Sequence, residues 1–219
     1  MKIPTFVTLA LLFIGELASG QKLLPGKLTY CSGETKDAFI EIPYICNAKK
    51  IRFKETENSD LLVVSSSELQ SISVLSTTGE QYVFEYVLIR NLLTKKAKKR
   101  FWSFVLVSGI NTLYIVPWFY DINKQGEIVF IVQTMNGIED FGFYLKKQNS
   151  DVAEYFCHGP IPGNTDLHRI HDGVFVKECN RMLADCPELV SRIKNYELRY
   201  EKMLEVIRQY NLCTSLPNQ

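Results

Sequence analysis

FWSFVLVSGINTLYIVPWFYDINKQGEIVFIVQT, residues Phe101 to Thr134, decides the fold class. Two turn clusters interrupt it, Ser108-Gly109-Ile110-Asn111 and Asp121-Ile122-Asn123-Lys124-Gln125-Gly126. Gly, Asn and Asp accept the positive φ that hairpin turns demand. The flanking runs are dense in Val, Ile, Phe, Tyr and Trp, which suit a pleated, partly buried surface. The stretch therefore predicts a β-meander of three antiparallel strands.

Both faces of these strands are apolar. In the first, Trp102, Phe104 and Leu106 oppose Phe101, Val105 and Val107; in the second, Tyr114, Val116, Trp118 and Tyr120 oppose Leu113, Ile115 and Phe119. A sheet with one wet side alternates apolar with polar, so this sheet needs cover on each side. A closed barrel with a helix outside it supplies that cover, and so does a sandwich.

Working outward, the chain opens MKIPTFVTLALLFIGELASG, with Lys2 as a basic start, an apolar run from Phe6 to Ile14 and a small-residue end. Residues 1–20 read as a secretory signal peptide cleaved before Gln21, and the product is expected to be extracellular. No run reaches the ~18 apolar residues of a membrane span. The mature part, 219 − 20 = 199 residues, suits one domain over 21–219. A net charge of +1 argues against nucleic acid as a partner, since phosphate binding needs a basic excess.

Residues 21 to 37 read as a mobile opening segment, with Pro25-Gly26 and Ser32-Gly33 as breakers. Strands follow over about 38–147, including Lys50 to Glu55 with Ile51 and Phe53 inward, and a long one from Gln81 to Leu93. Thr94 to Arg100 carries five positive charges, Lys95, Lys96, Lys98, Lys99 and Arg100, and reads first as a solvated hairpin tip. Gly137 to Gly142 reads as a turn, and 148–175 as an irregular segment broken by Gly and Pro. Helices are expected over 176–212. Asp185 and Glu188 suggest a capping box with Pro187 in the first turn, and Leu189, Ile193, Tyr196, Tyr200, Met203 and Ile207 recur at the spacing of one long amphipathic helix.

Six cysteines remain after residue 20, at 31, 46, 157, 179, 186 and 213, and an even count in a secreted chain suggests disulfides. If one helix joins Cys186 to Cys213, they stand roughly 40 Å apart, far beyond the ~7 Å bridging limit. Cys213 is then expected to reach the β region, where Cys31 and Cys46 are on offer.

No catalytic motif of the hydrolase, metalloprotease or nucleotide-binding kind occurs, so no enzyme activity and no cofactor are expected. His158, His168 and His171 lack a supporting carboxylate or thiolate pair, so no metal site is expected. Glu85 stands alone in an apolar strand, as a solvent-facing residue or as the partner of a ligand's polar tip. Tyr82, Phe84, Tyr86, Trp102, Phe104, Tyr114, Trp118 and Phe130 are the candidates to line a cavity for an apolar molecule, or else to fill the core themselves.

The pattern resembles the lipocalins. Phe101 to Tyr120 looks like that family's pair of strands around its second motif, Glu127 to Thr134 like its third-motif strand, and Tyr44-Ile45-Cys46-Asn47-Ala48 like a cysteine-bearing second strand. Gly26-Lys27-Leu28 stands where the family has Gly-x-Trp. The resemblance implies an up-and-down β-barrel with a long C-terminal helix outside it. It also implies a Cys46 to Cys213 bridge, with Cys31 joined to a later cysteine. The function expected from it is carriage or sequestration of a small hydrophobic ligand of the lipid, retinoid, steroid or pigment class. A protein-interaction module acting through loops, as an inhibitor or immune modulator, is the alternative.

Overall fold

The computed structural model describes residues 22–90, 97–131, 134–135, 138–139, 141–161 and 172–215. The signal-peptide expectation and residues 94–96 of the lysine-rich tip lie outside them. The fold is mainly β with C-terminal helices.

The stretch expected to be a mobile opening is a hairpin. β1 (Leu23–Tyr30) and β2 (Thr35–Glu41) pair antiparallel around Ser32-Gly33, where Gly33 takes φ +89°. Leu24 and Leu28 are buried, and that burial ties down a segment in which Ser32-Gly33 makes the turn while Pro25-Gly26 lies within β1 itself. β3 (Lys50–Lys54) and β4 (Leu62–Ser65) follow, with Ile51 and Phe53 buried as the alternation demands. β5 (Leu69–Leu75) and β6 (Gln81–Arg90) pair around the Gly79 turn. In this half the order is β4-β3-β2-β1-β5-β6, so β1 sits between β2 and β5 and the topology is not simply up-and-down.

β7 (Ala97–Val107) and β8 (Thr112–Ile115) form the first expected hairpin. A bulge between Val105 and Val107 shifts the alternation, so that Val107 rather than Leu106 joins the core. The three-strand meander stops there. Pro117 has no N–H for a ladder, and the second expected strand breaks beside it. β9 (Phe119–Ile122) pairs instead with β10 (Ile128–Ile131) in a separate hairpin that turns Tyr120 and Phe130 onto the core. β11 (Thr134–Met135) and β12 (Ile138–Glu139) form a short pair, of which β12 falls in the stretch read as a turn.

β13 (Phe141–Lys146) takes the place beside β8 that a continuous meander would have filled. The segment read as irregular contains β14 (Val152–Gly159), which pairs antiparallel with β13 and parallel with β6, Leu88 opposite Val152. Strands β6, β7, β8, β13 and β14 thus close into a five-strand ring, with one parallel contact that an up-and-down barrel lacks.

α1 (Asp172–Met182) lies on β14, with the Phe175 ring 5.8 Å from that of Phe156. The single long helix is two, α2 (Pro187–Lys194) and α3 (Met203–Ser215), joined through Tyr196 at φ +59° and a 3-10 turn over Tyr200–Lys202. Tyr200 locks this corner: its ring faces Phe143 and Phe175, its hydroxyl donates to the Pro160 carbonyl at 2.7 Å, and its N–H donates to Asp172 Oδ1 at 3.0 Å. The apolar spacing ran through the corner because residues on both sides of it face the same core.

Folding back brings Cys186 and Cys213 to a Cα separation of 6.3 Å, and they form the disulfide that a straight helix excludes. The expected Cys46 to Cys213 bridge is therefore absent, and Cys31, Cys46 and Cys179 carry free thiols. Cys157 directs its thiol to Met203 Sδ at 3.3 Å. The capping box also fails. Cys186 occupies the N-cap without a side-chain bond, while Asp185 accepts from the Tyr210 hydroxyl at 2.8 Å and pairs with Lys147 at 3.2 Å.

Asn211 joins α3 to the β7–β8 turn, accepting from the Asn111 N–H at 2.8 Å and donating to its carbonyl at 2.9 Å. A Cβ on Gly109 would lie 2.4 Å from Asn211 Nδ2, so glycine is needed there for close approach.

Replacing Cys186 with Ser should lower the unfolding free energy by about 3.5 kcal/mol in urea titrations, the loop-closure value for a bridge whose ends are 27 positions apart. A peptide map without reductant should recover 186 joined to 213. Burial alone would raise the Asp185 carboxyl, but Tyr210 and Lys147 outweigh it and hold the group below its ordinary value. Its contribution is present above the ordinary carboxyl range and is lost as pH falls through the lowered value. Asp185→Asn should therefore flatten the acid limb of the urea midpoint below about pH 4.

Candidate functional site

The eight rings offered as a cavity lining do not share one surface. Tyr82, Phe84, Tyr86, Trp102 and Phe104 stand on the core face of β6 and β7, and Phe130 lies over them from β10. They touch one another: Phe104 is 5.0 Å from Phe130, 5.4 Å from Phe84 and 6.0 Å from Tyr82, and Tyr86 is 5.2 Å from Trp102. These edge and tilted contacts are those of a filled core. Trp118 is 56% exposed, next in sequence to Phe119, whose ring lies 5.3 Å from that of Tyr44. Tyr114 is buried on the opposite face, inside the ring.

That inner face carries the cluster richest in chemistry. Glu85 on β6 accepts from the Tyr114 hydroxyl of β8 at 2.6 Å and from Lys146 Nζ of β13 at 2.9 Å, both on Oε2. Neither β8 nor β13 neighbours β6, so the side chains meet across the ring's interior. Helices pack on the other face, which carries Phe143 and Phe156, and five strands cannot enclose helices. Val87, Ile89 and Ala153 fill the rest of the interior, with Phe101, Val105, Val116 and Tyr144 against them. Burial pushes the Tyr114 phenol far above its ordinary range, and the Glu85 carboxylate adds to the shift. Tyr114 therefore stays a neutral donor at any physiological pH.

The polar end of the ring opens where β6 divides its outer edge. β5 pairs with β6 as far as Glu85, and β14 begins at Leu88, so Tyr86 and Val87 have neither neighbour. Trp102, opposite Tyr86, turns its N–H to the Cys46 carbonyl at 2.7 Å and its carbonyl to the Tyr120 hydroxyl at 2.6 Å, both away from β6. Tyr86 accordingly turns its carbonyl into the gap, where Arg100 Nη1 satisfies it at 3.0 Å. The gap is a cleft of about 360 Å³ lined by Glu85, Arg100, Lys146 and Asp151 together with Gln70, Ser150, Cys31, Leu69, Tyr86 and Val87.

A larger concavity, about 720 Å³, lies over Pro25, Gly26, Phe39 and Leu75 on the outer side of β1, β2 and β5. It is a shallow saddle whose ion pairs, such as Lys27 with Asp37 at 3.8 Å, are exposed at its rim. We place the candidate site in the smaller cleft because there Glu85, Arg100, Lys146 and Asp151, from three strands and a loop, meet at the mouth of the ring, with the Glu85–Lys146 pair assembled across its interior.

Of the residues singled out from the sequence, Glu85, Tyr86 and Tyr114 belong to this site, as does Arg100 from the basic tip. Lys146, Asp151, Gln70 and Ser150 were not singled out. The one available signal was Lys146 itself, which alternates with Leu145 and shares the face of Tyr144, placing a charge on a face otherwise apolar. Of the histidines, His158 is hydrogen-bonded to Tyr155, and His168 and His171 lie outside the described residues. Among the described residues no His, Cys, Asp and Glu group has the form of a metal site. No protein-family model matches the chain, and neither a curated protein nor a solved structure matches it.

Lys146→Met keeps the stem but removes the ammonium, leaving Glu85 with Tyr114 alone. The unfolding free energy should fall by about 1–3 kcal/mol, and adding Glu85→Gln should recover part of the loss in a double-mutant cycle.

Proposed function

We propose that this chain is an extracellular binding protein that sequesters a small polar molecule in the cleft where β6 parts from β5 and meets β14. The observation that carries this reading is the Glu85–Lys146–Tyr114 cluster, assembled across the ring and opening on that cleft. An ion pair half removed from water loses much of its Coulombic gain to desolvation, and an apolar trio of similar volume would hold the ring as well. Its presence at the open end, beside Arg100 and Asp151, supports a role in recognition. The Cys186–Cys213 disulfide suits an oxidising compartment.

This reading keeps the sequestering role expected from the sequence and changes the cargo. A lipocalin-like carrier of a lipid, retinoid, steroid or pigment needs an apolar hollow, whereas the rings that would line it are in contact with each other. The protein-interaction alternative is favoured by one feature, the exposed Tyr44, Trp118, Val129 and Ile131 on the outer side of the β9–β10 hairpin.

Screening polar metabolite-sized compounds by amide chemical-shift mapping tests the proposal. Ligands should perturb Glu85, Arg100, Lys146 and Ser150, and Glu85→Gln should weaken them at least about tenfold. Shifts confined to Trp118 and Ile131, or quenching of Trp102 by lipophilic probes with the cleft unmoved, would overturn it.

A further inference from the structure

The charges around the cleft define a ligand class, and this step rests on the site assigned above. Arg100 and Lys146 supply two positive charges, Glu85 and Asp151 two negative ones, so the lining is neutral in sum and divided in sign. An ion of one sign is attracted by one pair and repelled by the other. A molecule with separated opposite charges is attracted by both.

The hydrogen-bond inventory gives the same division. Glu85 receives both Tyr114 and Lys146 on Oε2, so Oε1 has no partner among the described residues and is an acceptor for an N–H donor. Arg100 is pinned through Nη1 to the Tyr86 carbonyl. That bond positions the guanidinium and leaves its other N–H groups to a carboxylate, which such a planar fork suits. Tyr114 is a fixed neutral donor, so the cluster accepts through Oε1 rather than through the phenol. Leu69, Tyr86 and Val87 supply an apolar wall between the charged ends. A volume of about 360 Å³ is near the small end of ligand sites.

We infer that the cleft binds a zwitterionic, amino-acid-like molecule, with its ammonium on Glu85, its carboxylate on Arg100 and a short apolar side chain against Leu69 and Val87. Asp151 and Lys146 supply a second charge of each sign. Lys146 remains tied to Glu85, so it orients the carboxylate that receives the ammonium.

Three probes sharing one hydrocarbon body test this by calorimetry and amide shifts: L-leucine, 4-methylpentanoate without the ammonium, and isoamylamine without the carboxylate. Leucine should bind at least about tenfold more tightly than either, two charge-assisted contacts against one. Glu85→Gln should bring leucine down to the level of 4-methylpentanoate, and Arg100→Met to that of isoamylamine. Equal affinity of 4-methylpentanoate and leucine, lost in Arg100→Met, overturns the zwitterion class and leaves the cleft as the site. Leucine binding that shifts amides elsewhere and ignores both substitutions overturns site and class together. No measurable binding of leucine overturns the class.

Discussion

The hydrogen-bonding edge of β6 is the constraint from which the rest of the structure follows. One strand of ten residues serves two neighbours on the same side: β5 along Gln81 to Glu85, and β14 along Leu88 to Arg90. Every buried backbone group needs a partner, so the point of division must be closed by something other than a strand. Arg100 closes it, and a cationic side chain is thereby fixed at the mouth of the ring. The division also sets the roles of the two faces. Where β6 runs with β5 its partners on one side form the main core, and where it runs with β14 the opposite face becomes an interior.

Trp102 holds the two parts in register. It is fully buried, and its indole N–H donates to Ser66 Oγ at 3.0 Å, which in turn donates to the Ala48 carbonyl at 2.8 Å. Its backbone receives Tyr120 and reaches Cys46. The segments that lead into β3 and out of β4 therefore meet on one residue of β7. A polar chain of this kind is favourable because each member is satisfied in a low-dielectric setting, and any one left unpaired costs more than the bond returned. Aromatic rings pack around it at contact distance, which is why density in Phe, Tyr and Trp here marks a solid centre.

Much of the β architecture was legible, because alternation reports burial directly: Ile51 and Phe53 against Lys50, Arg52 and Lys54 is a pattern only a one-sided strand makes. The failures have separate physical causes. Pro117 was a visible sign that the meander would break, outweighed by the apolar residues around it. The helical corner at Tyr196 was hidden because Tyr200 and Met203 continue the spacing of Leu189 and Ile193 by packing on the same core, so Cys186 and Cys213 were placed far apart. β14 was hidden by its flanking breakers. The site was legible in part, through Glu85, Tyr86, Tyr114 and Arg100. Its other half depends on which strands become neighbours across a ring, and periodicity carries no record of that.

The contact between β6 and β14 also says something about the order in which the molecule is built. Arg90 and Glu154, ion-paired at the seam, are separated by 64 positions, whereas the hairpins on either side join residues a few positions apart. Loop-closure entropy opposes the distant contact until the local ones exist. The seam is therefore expected to zip after the hairpins have formed. Glu85 and Lys146 lie on β6 and β13, on opposite sides of that seam, so their contact is expected to form as the seam closes. The cleft between β5 and β14 is thus closed only once β14 has been made and has joined β6.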